Sequence, residues 1–434
     1  MDVVTLSALI VITLMVVLLI AGVPIGVALG VAGMTGTIII TGSFNAGLSL
    51  GISQSKSFGL NFAFIVIPMF VLMGHLASEA GIIYDLFKAA NRWVGHFSGG
   101  MAMTTLLTCT GMAALSGSSI ATVGAMMPIA LPEMRRYGYD DMMSVGTITS
   151  GGTLSIMIPP SMTMVVYAIF AQESIGKLLI AGILPGILIF VLYTAQVMIR
   201  VKINPRLGPR GEKYSFSDRI SSLFSILPFM LILTLVLAGI LFGVWTPVEA
   251  SAAAVILVLG MALIRRRSTV QSLFSMAKEA AIVSSAIVVL VIGSFILGNY
   301  LAVSGVDQIV TKGVIGLELP RAAFFAILLV FLTILGMFLE IGCIMAITIP
   351  LILPILKVFG WSPIWFGVIM INLGEMAALT PPVGVALYVA QAAAPDINLS
   401  VIFKSTLPFW ICNLAAAFIL FVMPDIALFL PSFM

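Results

Sequence analysis

Apolar residues run along this chain in long blocks instead of alternating with polar ones. Blocks of spanning length, about 20 residues each, fall at 4–22, 24–41, 60–80, 143–171 and 176–199, and again at 222–242, 246–264, 281–301, 362–391 and 400–423. Blocks of that length without strand-like alternation predict membrane-spanning helices. Two further apolar stretches, 98–134 and 322–356, are each long enough for two short helices and each is interrupted midway, which predicts re-entrant hairpins. Weaker amphipathic stretches near 42–61 and 268–279 stand at matching places and are expected to lie flat at the interface, bracing a moving part against a fixed frame.

Two of the blocks contain what a helix cannot absorb. In Gly151-Gly152-Thr153-Leu154-Ser155-Ile156-Met157-Ile158-Pro159-Pro160-Ser161 the prolines remove backbone donors and the glycines cost helix propensity. The carbonyls and N–H groups freed by such a break at membrane depth need protein, water or a bound ion. A shift of 222 positions carries Pro128 onto Pro350, Pro132 onto Pro354, Gly138 onto Gly360, Gly152 onto Gly374 and Pro159-Pro160 onto Pro381-Pro382. Shifts of 223 and 224 carry Pro24 onto Pro247, Gly74 onto Gly298 and Gly81 onto Gly305. The chain therefore reads as two copies of one unit, 1–199 and 222–434, joined by a polar linker at 200–221. Paired Gly/Pro-interrupted segments in corresponding positions point to the binding site of a secondary transporter.

Charge adds the topology. Of 434 residues 61% are hydrophobic and 9% charged, which makes this a polytopic membrane protein. The first two blocks are read as retained helices, since no basic leader precedes them and no small-residue cleavage site follows. Lys88 and Arg92 precede the first hairpin and Arg135-Arg136 follow it, so both its ends are expected on the positive, cytoplasmic side. The linker, with six basic residues from Arg200 to Arg219, and Arg265-Arg266-Arg267 fall there too, whereas the second hairpin falls on the opposite side. Five spans per half, an odd number, invert one repeat relative to the other and leave both termini periplasmic. The expected fold is thus an all-α membrane protein of two inverted repeats, each with about five spans and one hairpin. The net charge of +3 reports topology and gives no sign of nucleic-acid binding.

Candidate chemistry concentrates at the hairpin tips and the breaks. Around Ser116-Gly117-Ser118-Ser119, hydroxyl oxygens are hard ligands suited to a sodium-sized cation, and this tip is expected to meet Gly152, Thr153 and Ser155. In the second half Gly336, Glu340 and Gly342 are expected to meet Gly374, Met376 and Thr380 as a second, repeat-related cation site. Glu340 at the tip is the stronger acidic candidate, as cation ligand, proton carrier or gate; Glu375 is either functional or a cap on exposed N–H groups. Pro160, Ser161, Glu340 and Pro382 are the candidates for touching substrate. Cys109, Cys343 and Cys412 are widely spaced core thiols, and His75 and His96 share no ligand motif. Neither a nucleotide-binding loop nor a His-Glu-x-x-His is present, so uphill transport must draw on an ion gradient or another subunit. A channel would be expected to show a repeated filter or charged rings, and an enzyme a nucleophile beside a base.

The chain resembles the large membrane subunit of the tripartite ATP-independent periplasmic (TRAP) transporters over essentially its whole length. The likeness rests on Gly22-Val23-Pro24-Ile25-Gly26-Val27-Ala28-Leu29-Gly30, Ser116-Gly117-Ser118-Ser119 with Ala121-Thr122, and Ile158-Pro159-Pro160-Ser161. In the second half it rests on Thr246-Pro247-Val248-Glu249-Ala250, Gly336-Met337-Phe338-Leu339-Glu340 and Leu379-Thr380-Pro381-Pro382-Val383-Gly384. Glu340 stands where the family is expected to favour Asp. The resemblance implies a bacterial inner-membrane subunit that takes up organic acids such as sialic acid, C4-dicarboxylates or 2-oxo acids, driven by sodium, with two ions the expected number. It also implies an elevator-type transport domain, a small four-helix membrane partner and a periplasmic substrate-binding protein. A stand-alone ion-coupled carboxylate transporter is the alternative.

Overall fold

The computed structural model describes residues 3–266, 268–381 and 384–434, with side chains there except at 114–116. Its first half runs α1 (Val3–Ile20), α2 (Ile25–Thr41), α3 (Phe44–Gly59), α4 (Val66–Glu79), α5 (Ile82–Val94), α6 (Gly100–Ser116), α7 (Ser119–Arg136), α8 (Asp141–Leu154), α9 (Met162–Ala171), α10 (Ile175–Ala181) and α11 (Ile183–Ile203). The second runs α12 (Phe216–Leu241), α13 (Pro247–Ile264), α14 (Val270–Ser304), α15 (Val306–Gly316), α16 (Arg321–Gly336), α17 (Ile341–Phe359), α18 (Pro363–Ala378), α19 (Val385–Ala393) and α20 (Leu399–Val422). Among the described residues there is no strand, and eight helical segments are long and apolar enough to cross a membrane. The molecule is an all-α, multi-span membrane protein.

Helix ends follow local chemistry. The Asp140 carboxylate accepts from the Met142 and Met143 amides at 2.8 and 3.3 Å and starts α8. Thr246 and Glu249 form a reciprocal capping box at α13, the Glu249 carboxylate accepting from the Thr246 amide at 2.8 Å. One difference from the hydropathy reading concerns the amphipathic stretches. α3 is a separate helix, stopped at Gly59 and followed by a 3₁₀ turn capped by Asn61, whereas its counterpart is continuous with the next span as the 35-residue α14. The difference is local: Lys278-Glu279-Ala280-Ala281 are good helix formers, and nothing there matches Gly59-Leu60-Asn61.

The helices pack as a frame and a core. In the frame, α2 lies along α14 and α13 lies along α4, so the second helix of each half meets a span of the other. Close approach there needs glycine: a Cβ on Gly33 would stand 2.8 Å from the Leu297 Cα. The core holds the hairpins α6–α7 and α16–α17 with the broken pairs α8–α9 and α18–α19. Here too the halves interlock, with α7 against α19 and α17 against α9.

Candidate functional site at the hairpin tips and helix breaks

The first break is built by hydroxyls. α8 ends at Leu154 and α9 starts at Met162, where Ser161 Oγ accepts from the Met164 amide at 3.3 Å and donates to the Ile156 carbonyl. The hairpin arm α7 closes on the break: Thr122 Oγ1 donates to Ser155 Oγ at 3.1 Å, and both residues are fully buried. Gly117, at the tip with φ +54, leaves no room for a side chain, since a Cβ would sit 2.9 Å from the Met162 amide nitrogen. Gly152 packs directly on Val123. Thr153 is fully buried and donates to the Ser150 carbonyl at 2.9 Å, while Ser118 caps α7 by accepting from the Ala121 amide at 3.4 Å. The Pro159–Pro160 peptide is cis, and the Pro160 carbonyl faces Gly117. The Ser116 side chain lies outside the described residues.

In the second half, α18 ends at Ala378. Thr380 Oγ1 donates to the Met376 carbonyl at 2.6 Å and accepts from Trp410 Nε1 at 3.0 Å. Ile341 stands against Gly374, and Gly336 against Ala377. Glu340 is the N-cap of α17: its carboxylate accepts from the Gly342 amide at 2.9 Å, and the residue is exposed. Glu375 does not cap N–H groups, because it lies in the last turn of α18, where carbonyls and not amides are unpaired. Pro382 lies outside the described residues.

These parts meet in one narrow cleft of about 40 Å³, lined by Ser119 and Ile120 from one tip, Leu339 and Glu340 from the other, and Ile156 and Gly374 from the two breaks. Of the residues singled out by sequence, Ser119, Gly336, Glu340 and Gly374 line it; Thr153, Ser155, Ser161, Met376 and Thr380 stand in the surrounding wall. A larger cavity of about 480 Å³ opens between α14 and the far ends of α9 and α17, with Gln172, Asn299 and Lys357 on its wall, and touches neither break. Beyond the break region, Arg135 binds Asp141 and Asp396 at 2.7 and 2.6 Å, tying the end of the first hairpin to the loop after α19. That guanidinium holds the Asp396 carboxyl below the usual carboxylate range.

The donor set suits a hard alkali cation. One turn before the first break, Thr149 Oγ1 and Ser150 Oγ are buried without a hydrogen-bond partner, and among the described residues no cluster of three His, Cys, Asp or Glu offers a transition-metal site. Sequence reasoning did not find a polar group formed by Tyr193, Asn372 and Asn413, in which Tyr193 donates to Asn413 Oδ1 at 3.0 Å. Isolated amides inside apolar spans were the available signal.

Paired hairpins and broken helices meeting at one cleft, inside a frame of long apolar helices, are the build of a secondary transporter. Family comparison agrees. The model of the tripartite ATP-independent periplasmic transporter, DctM component, matches residues 12–426, and the chain belongs to that family. It is similar to the C4-dicarboxylate TRAP transporter large permease protein DctM of Pseudomonas aeruginosa, with 32% identity over 86% of this chain and 87% of the relative. It is also similar to the sialic acid TRAP transporter large permease protein SiaM of Vibrio cholerae, 27% identical over 96% of both chains. The crystal structure of the Alcanivorax borkumensis YdaH transporter shares the fold, with a TM-score of 0.59 at 14% identity over 86% of this chain and 87% of that one.

Proposed function

We propose that this chain is the transport subunit of a sodium-driven importer of a small organic acid in a bacterial inner membrane. The observation that carries the reading is the single cleft onto which both hairpin tips and both breaks converge. Its substrate class follows the C4-dicarboxylate and sialic acid transporters among its relatives. The inverted-repeat, elevator reading draws on the reciprocal contacts of the two halves: a core whose hairpins grip each other's broken helices can slide as one body against the α2–α14 and α4–α13 frame.

Two repeat-related cation sites are proposed, one near Ser116, Ser118, Ser119, Gly152, Thr153 and Ser155, the other near Gly336, Glu340, Gly342, Gly374, Met376 and Thr380. Sodium bound there supplies positive charge that offsets the substrate's carboxylate. Glu340 at the cleft mouth attracts a cation and opposes an unaccompanied anion, which favours loading of both together. Pro160, Ser161 and Pro382 shape the substrate side of the breaks. The proposed partners are a small four-helix membrane subunit and a periplasmic substrate-binding protein. Uptake into proteoliposomes tests the reading: saturable, sodium-dependent accumulation only when both partners are present is expected. Ohmic current, or full sodium-driven uptake by this chain alone, would overturn it.

A further inference from the structure

On another face of α18, away from the cleft, lies a polar cluster that the transport reading leaves unused. Glu375 is fully buried, and neither carboxylate oxygen has a hydrogen-bond partner among the described residues. Asn372 stands one turn earlier on the same face and donates its Nδ2 to the Asn413 carbonyl at 3.0 Å. Tyr193, which holds Asn413 Oδ1, also interacts with Glu375 and with Thr153. The cluster therefore joins α8, α11, α18 and α20, two helices from each half.

Its unmet hydrogen-bonding needs are specific. Asn372 Oδ1 is a buried acceptor without a donor, and Asn413 Nδ2 is a buried donor without an acceptor. A carboxylate offers acceptors only, whereas a carboxylic acid offers one donor and one acceptor. Charge points the same way. No charged side chain from α8, α9, α10, α16, α17, α19 or α20 offsets Glu375, and the titratable groups near the cluster are Tyr193 and Cys412. The carboxyl also sits in the C-terminal turn of α18, where the helix dipole opposes negative charge. An isolated buried charge is among the most costly groups a fold can hold.

We infer that this cluster is a proton-binding site: Glu375 is held as the neutral acid, its O–H directed to Asn372 Oδ1 and its C=O to Asn413 Nδ2. The proton comes from bulk water and returns there when the cluster opens; nothing else is transferred. The inference rests on the buried geometry and not on the sodium-coupled reading, so either can fail alone.

Two measurements on the full chain in lipid test it. Infrared spectra at neutral pH should show a protonated-carboxyl band that is lost in Glu375→Gln. Dicyclohexylcarbodiimide, an apolar reagent that needs the protonated acid, should label Glu375 in the unaltered chain, read by peptide mass spectrometry, so the test survives a variant that fails to fold. Excess sodium should leave both signals unchanged. Absence of both signals overturns the inference. Their loss on adding sodium also overturns it and makes the cluster a cation site.

Discussion

The contact between Gly152 and Val123 sets how closely the first hairpin closes on its break, and Gly152→Ala tests it. The new Cβ would overlap the Val123 Cγ2 and stand 3.1 Å from the Val123 backbone nitrogen. Overpacking of this kind costs about 1–3 kcal/mol. The strain exists only where α7 rests on the break, so it disfavours the closed tip and leaves the rest of the fold intact. If cation binding needs the closed tip, the sodium concentration for half-maximal uptake should rise about five- to hundredfold, since each 1.4 kcal/mol is tenfold. Val123→Ala removes the clashing carbon and should restore most of the loss in the double variant, leaving a residue from the backbone contact. Gly124→Ala is the control: its Cβ would lie 3.8 Å from Val389 Cγ1, an ordinary contact, and should change little. The assay is sodium-dependent uptake in proteoliposomes containing both partners, with melting temperature as the check on folding. Unchanged sodium dependence in Gly152→Ala, or no rescue by Val123→Ala, would refute the reasoning.

Three further outcomes are expected. Cysteines at the exposed positions Phe97 and Arg136 should be labelled from the same, cytoplasmic face, and those at Glu318 and Lys357 from the other; labelling Phe97 and Arg136 from opposite faces contradicts the inverted topology. Because Arg135 holds the Asp396 carboxyl low, its ion pair contributes above the unfolded carboxyl pKa of about 3.9 and is lost as pH falls through the lower folded value. Asp396→Asn should therefore lower the melting temperature at neutral pH, with the difference from the unaltered chain closing in acid. Thr380→Val leaves the Trp410 indole N–H without its acceptor, a loss of about 1–3 kcal/mol, so melting temperature and tryptophan emission should both shift; no change in either counts against the bond seen between them.

What the amino-acid order determines here is local. A run such as 222–242 partitions into a membrane through the sum of its own side chains, and a helix stops near Gly152 or Pro381 because of residues within one turn. Class, spans and the places where helices break were therefore legible without a structure. The roles of the two acids were not. Glu340 caps α17 because the chain turns there with extended backbone, and Glu375 is enclosed because its face of α18 happens to meet α11 and α20. Tyr193 and Asn413 are 220 positions apart, and Asn372 and Asn413 are 41. Nothing local marks such pairs, because which faces of distant helices meet is decided only when all of them pack together. The sequence alone could offer two carboxylates in apolar surroundings; tertiary packing put one at the mouth of a cleft and closed the other off from water.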